Sequence, residues 1–229
     1  MKKEILIFGS NGALGKGVTD SFLKKDYNKY YLFDFHPRIK NGNNIVQFEV
    51  NDLSVEENVK KAFENIQPSK ETAYFLFSTV GGFAGGKSVW ETDDQEWDKM
   101  MAMNLKTSFL ISKYFSILVK NSHSGSICFT AAFTGLNAEP KKAAYGASKG
   151  ALLHLVETLA EEGKEIRLSA NAVAPYIIDT PANRDWMQNS DFESWIKPEE
   201  IGEFIHSIFT NYHFITGNIF KLTHRFSFK

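Results

Sequence analysis

Ile5-Leu-Ile-Phe8-Gly9-Ser-Asn-Gly12-Ala-Leu-Gly15 is the stretch on which the fold turns. Four apolar residues in succession, without polar alternation, fit a strand buried on both faces, as in a parallel sheet covered by helices. Glycines at 9, 12 and 15 follow at once, and residues 16–25 read as a helix with Val18, Phe22 and Leu23 on one face and Lys24-Lys25 closing it. Between a strand and a helix, small residues permit a tight turn and the helix N-terminus faces a pyrophosphate. Gly9, Asn11, Gly12, Ala13, Leu14 and Gly15 are therefore candidate dinucleotide contacts, with a purely structural turn as the competing reading.

Outward from this unit the same alternation repeats. Strands are predicted at Tyr30–Phe33, Ile45–Phe48, Ala73–Phe77, Gly125–Phe129, Ile166–Val173 and near Asn218–Leu222. Helices are predicted from a Ser54 cap to about Asn65, from Asp94 to Val119, from Tyr145 to about Glu162, and from Pro198 through Phe209, with a polar loop between Pro175 and Pro198. The expected fold is α/β, a Rossmann-type doubly wound parallel sheet of about seven strands with helices on both faces, forming one NAD(P)-binding domain over residues 1–229. Ligands of such sheets bind beyond the carboxyl ends of the strands. The glycine turn, Asp34, Asp52, the loop Gly81-Gly-Phe-Ala-Gly-Gly86 and Pro175 all fall there.

Asp34 lies 19 residues after Gly15, close to the spacing of an acid that bonds a ribose 2′-hydroxyl. Its charge would repel a 2′-phosphate, so NADH is expected, with NADPH the alternative should Arg38 and Lys40 recruit the phosphate. Asp52 is either an adenine-side contact or a turn residue before the Ser54 cap. On the helix predicted from Tyr145, Lys149 follows at i+4 and shares its face. A nearby cation favours phenolate and draws a phenol toward the working range, which makes Tyr145 a candidate proton donor. Taken alone, the pair also fits an ordinary amphipathic helix.

Together these residues resemble the short-chain dehydrogenase/reductase family over nearly the whole chain. The resemblance rests on Tyr145-x-x-x-Lys149, on Asn104 in Met-Asn-Leu, and on Ala172-Val-Ala-Pro175 through Ile178-Asp-Thr180. It implies that Tyr145 protonates the substrate, that Lys149 lowers the tyrosine pKa and holds the nicotinamide ribose, that Asn104 belongs to the catalytic set, and that Pro175, Ile178 and Thr180 line the nicotinamide. Ala13 stands where the family usually has glycine, and Ala132 stands 13 residues before Tyr145, where the family's serine is expected. Thr130 or Thr134 could replace that hydroxyl; otherwise the substrate does not need it.

Both departures match the quinonoid-dihydropterin-reducing branch of the family. That branch is similar in its Gly-Ala-Leu-Gly turn, in the loop carrying Gly81 and Gly82, and in Asp179-Thr-Pro-Ala-Asn-Arg184 followed by Asp191-Phe-Glu-Ser-Trp195. The resemblance implies NADH-dependent reduction of quinonoid 6,7-dihydropteridine, with Phe83 and Trp195 against the pterin, Trp186 a further aromatic candidate, and core or lid packing the alternative for each. It also implies a homodimer through the helix around residues 104–119 and the one starting at Tyr145. The rivals are a short-chain reductase of another small carbonyl or quinone, and a non-catalytic NAD(H) sensor, for which a retained proton donor has no use.

Composition bounds the remaining classes. In 229 residues, 43% are hydrophobic, 23% are charged and the net charge is −1, the balance of a globular protein without the field that favours nucleic acid or an anionic membrane. Ile5–Phe8 is too short for a signal sequence or membrane span. The sole cysteine, Cys128, sits in an apolar run, which excludes disulfides within the chain and fits a cytoplasmic location. The six histidines are scattered without ligand spacing, so no metal is expected.

Overall fold

A computed structural model describes residues 1–226. Seven strands form one sheet in the order β3-β2-β1-β4-β5-β6-β7, every pairing parallel. They are β1 (Lys2–Phe8), β2 (Lys29–Asp34), β3 (Ile45–Glu49), β4 (Thr72–Ser78), β5 (Ser124–Thr130), β6 (Leu168–Pro175) and β7 (Ile219–Leu222). The helices are α1 (Ala13–Phe22), α2 (Glu56–Glu64), α3 (Asp94–Met100), α4 (Thr107–Lys120), α5 (Ala143–Gly163), α6 (Pro181–Trp186) and α7 (Pro198–Thr210).

The apolar run of β1 is buried on both sides, and its alternation divides the core. Leu6 and Phe8 face one cluster, which Val59 of α2, Phe115 of α4 and Val156 of α5 complete. Ile5 and Ile7 face the other, with Val18 and Phe22 of α1 and Ile201 and Ile205 of α7. Full burial of one such side chain stabilises by about 1.5–3 kcal/mol, and no polar substitution within Ile5–Phe8 escapes a helix layer. Strand order reverses between β1 and β4, so their carboxyl ends diverge into the crevice where ligands of open α/β sheets bind.

Several local expectations are corrected. α2 begins at Glu56 with Val55 as its cap and no side-chain capping bond, rather than from Ser54. The Asp52 carboxylate instead accepts from the Ser54 N–H at 2.9 Å, a local turn that competes with capping. The single helix expected over 94–119 is interrupted at Met101–Lys106 by a π-helical turn, where the Thr107 N–H bonds back five residues to Ala102. β6 starts at Leu168, because a 3-10 turn and left-handed Arg167 (φ 59°) precede it. The expected loop after Pro175 holds α6, capped by Thr180, whose hydroxyl accepts from the Asn183 N–H at 3.3 Å. No helix among the described residues is long and apolar enough to cross a membrane.

Candidate active site

The glycine turn is built by close backbone approach. Gly9 has φ 78°, in the left-handed region, and a Cβ there would strike the Thr79 hydroxyl at the end of β4. A Cβ on Gly15 would overlap the Gly9 carbonyl. Gly12 caps α1 and is less demanding, since its Cβ would lie at an ordinary 3.5 Å from the Gly9 oxygen. Ala13 and Leu14 are the first two residues of the helix, and Ala13 fits without strain.

Asp34 stands across this turn. One carboxylate oxygen accepts from the Asn11 N–H at 2.7 Å and the other from the His36 N–H at 3.1 Å. Asn11 donates its side-chain amide to the His36 carbonyl at 2.7 Å, and its Oδ1 is buried with no hydrogen-bond partner among the described residues. An orphaned acceptor beside bare glycine backbone and the start of a helix fits a dinucleotide's polar groups. Arg38 is held by Asp20 at 2.7 Å, which leaves Lys40 as an exposed cation of that segment with no ion pair among the described residues.

On α5, Tyr145 and Lys149 lie one turn apart, and Lys149 is almost wholly buried. Its ammonium donates to the Thr130 carbonyl at 2.8 Å, and burial lowers its pKa to about 8. The Tyr145 phenol moves the other way, pushed up to about 12, first by burial and then by the negative charge of Glu139. The net shift of the phenol is thus upward, against the downward direction expected beside Lys149, because desolvation of the phenolate dominates. A phenol at about 12 stays protonated across neutral pH, the state a proton donor requires.

The π turn carries Asn104 fully buried between α5 and the glycine loop after β4. Its Oδ1 accepts from the Gly82 N–H, and its Nδ2 donates to the Gly82 carbonyl and to the Ser148 hydroxyl, all at 3.0 Å. Ser148 in turn donates to the Tyr145 carbonyl at 2.8 Å. A Cβ on Gly81 would lie 2.6 Å from Asn104 Oδ1 and 3.1 Å from Lys149 Nζ, so this loop meets both side chains only because it lacks one.

Neither threonine replaces the missing serine. Ala132 is buried; the Thr130 hydroxyl donates to the Ser78 carbonyl at 3.0 Å, and the Thr134 hydroxyl donates to Glu139. One hydroxyl proton makes one donated bond, so both are committed.

The aromatic candidates separate. Phe83, about half exposed, meets the Tyr145 ring edge to face at 5.0 Å and the Trp186 ring at 6.1 Å. Trp195 is buried against Phe192 at 4.8 Å. Arg184 stacks over Phe192 at 4.8 Å and forks onto Asp179 at 2.5 and 2.8 Å, so the two motif segments hold each other. Pro175 ends β6, Ile178 bridges to Ile196, and Thr180 is buried at the start of α6. Asp52 lies exposed at its turn. Glu139 and Lys142, in the segment before α5, drew nothing from the sequence because irregular segments show no periodicity. No cluster of three or more metal-binding side chains occurs among the described residues.

Comparisons with known proteins agree with this fold. The short chain dehydrogenase family model matches residues 3–191. The chain is 30% identical over 213 residues to a dihydropteridine reductase of Dictyostelium discoideum, covering 92% of this chain and 89% of that protein. It is 27% identical over 188 residues to a cyclopentanol dehydrogenase of Comamonas, with 78% and 74% coverage. In fold it superposes on ElxO with NADP bound at a TM-score of 0.82, with 22% identity and coverage of 97% of this chain and 98% of that one. The phenol, the buried lysine and the glycine turn thus sit in a chain that belongs to the short-chain dehydrogenase family, whose members are nicotinamide-dependent oxidoreductases.

Proposed function

We propose that the protein reduces a quinonoid dihydropterin to the tetrahydropterin with NADH, Tyr145 delivering the proton. The observation that carries this reading is a site with one acid and no companion hydroxyl: a protonated Tyr145 phenol, a buried Ala132 at the sequence position expected of the serine, and Thr130 and Thr134 bonded elsewhere. A simple carbonyl needs its oxygen polarised by a second donor. A quinonoid dihydropterin is already electron-poor and conjugated, so one positioned acid suffices. The relative from Dictyostelium supports the same substrate class.

When bound, the reduced nicotinamide supplies a hydride. Tyr145 gives its phenol proton to a ring nitrogen, so one hydride and one proton complete the reduction, and solvent restores the phenol. Phe83 offers an apolar ring face beside that proton, and Trp186 continues it. Lys149, with ammonium protons beyond the one given to Thr130, holds the nicotinamide ribose next to Gly81. Asp34 sets the preference for NADH, since its carboxylate repels a 2′-phosphate and Arg38 is already neutralised by Asp20. The protein works as a homodimer through α4 and α5, and exposed Phe109 and Ile117 on α4 suit such a contact.

The test is NADH oxidation with quinonoid dihydropterin generated in the assay and the uncatalysed rate subtracted. Saturable turnover, lowered at least about 100-fold in Tyr145→Phe with NADH binding retained, is expected. Faster reduction of simple ketones or quinones than of the dihydropterin would sink the reading.

A further inference from the structure

The segment that leads into α5 sets an ion pair on the rim of the aromatic group formed by Phe83, Tyr145 and Trp186. Glu139 and Lys142 meet at 2.6 Å, their side chains 26% and 25% exposed, and the Thr134 hydroxyl donates to the second carboxylate oxygen. Backbone holds the pair against the glycine loop. The Gly86 N–H donates to the Lys141 carbonyl at 2.8 Å, with Lys141 itself left-handed at φ 62°. A Cβ on Gly85 would come within 2.9 Å of that carbonyl and 3.1 Å of the Phe83 ring. Lys142 Nζ stands 5.9 Å from the Phe83 centroid, and Phe83 stands 5.0 Å from Tyr145. A cavity of about 280 Å³ adjoins the pair, lined by Thr134, Glu139, Lys142, Ala143 and Gly146 among others.

Stability alone gives little reason for the pair, because partly exposed ion pairs contribute about 0–1 kcal/mol. Its pattern is more informative. A carboxylate has about four acceptor positions, and Lys142 and Thr134 occupy two of Glu139's, which leaves about two for a ligand. A 2-amino-4-oxopyrimidine presents two N–H donors side by side, at the amino group and N3, next to a carbonyl acceptor. We infer that Glu139 and Lys142 recognise that amino-oxo edge of the substrate, Glu139 accepting its paired N–H groups and Lys142 donating to its carbonyl. The inference rests on the proposed pterin reading and deepens it. The pyrimidine end then points along the rim and the ring being reduced lies by Tyr145. Lys142 first, then Thr134, hold the Glu139 carboxyl below its ordinary pKa, so it stays an acceptor at neutral pH.

Lumazine, the 2,4-dioxo counterpart of pterin, tests the assignment, because its second carbonyl faces the carboxylate where pterin has an amino group. Dissociation constants of pterin and lumazine are measured by titration calorimetry on the NADH-saturated protein. Wild type should favour pterin by about tenfold to a hundredfold, the range of a hydrogen bond to a charged group. Glu139→Gln should bring the two within about twofold while the NADH dissociation constant stays fixed, and Glu139→Asp should restore part of the preference. A structural role alone would weaken both ligands together. An unchanged ratio in Glu139→Gln, or no preference in wild type, overturns the inference while dihydropterin turnover by wild type keeps the reaction. Absence of that turnover removes both.

Discussion

At Tyr145 the burial that isolates the phenol also keeps its proton, whereas the same burial loosens the proton of Lys149. The two shifts share a cause, loss of water around the charged form, and carry opposite signs because one group ionises to an anion and the other is a cation. Lys149 has a consequence for stability. Between its folded value of about 8 and its ordinary 10.5, the unfolded chain binds a proton that the folded chain has released. Stability of the cofactor-free protein therefore rises with pH across that window. Denaturant midpoints of wild type measured against Lys149→Met should diverge from pH 8 upward, and parallel curves would mean that Lys149 is not desolvated. Asp34 offers a second check at this scale. Replacing it with Ala should lower the NADH to NADPH ratio of kcat/KM by about tenfold, as expected when one charge-assisted bond of roughly 1.4 kcal/mol is lost; an unaltered ratio would take Asp34 out of cofactor choice.

The π turn at Met101–Lys106 shows what an element does that its residues do not announce. A regular helix through 94–119 would have kept the predicted register, while the extra residue per turn lets Asn104 engage both backbone groups of Gly82 and the Ser148 hydroxyl. One amide thus joins the glycine loop to α5 just below Tyr145. Asn104→Ala leaves the half-buried backbone N–H and carbonyl of Gly82 without those partners, so a loss of about 1 kcal/mol in unfolding free energy is expected, together with faster hydrogen exchange at Gly82. Unchanged exchange there would show that the loop holds its place without Asn104. The segment from Asp179 to Trp195 carries a similar lesson. Its motif residues look chemical in sequence, yet Asp179, Arg184, Phe192 and Trp195 form a stack that supports α6 and leaves Trp186 to meet Phe83.

For the molecule as a whole, the sheet order puts the glycine turn, Asp34 and the 81–86 loop at one edge, and α4 and α5 on one face. If that face pairs with its copy, the protein should elute at twice 25.9 kDa, and Phe109→Glu, which sets a charge on an exposed helix position, should shift it toward the monomer. A monomer in wild type would refute the pairing. The alternation of buried strands and amphipathic helices was legible because it depends on local periodicity: the central strands had to be largely apolar on both faces, and the helices on one. The glycine turn was legible for the same reason, since backbone crowding at Gly9 and Gly15 admits little else. Only the tertiary structure decided which way the Tyr145 phenol titrates, that Trp186 rather than Trp195 meets Phe83, and that Glu139 and Lys142 stand at the rim. Those outcomes depend on desolvation and on contacts between segments far apart in the chain, which leave no period and no spacing in the sequence.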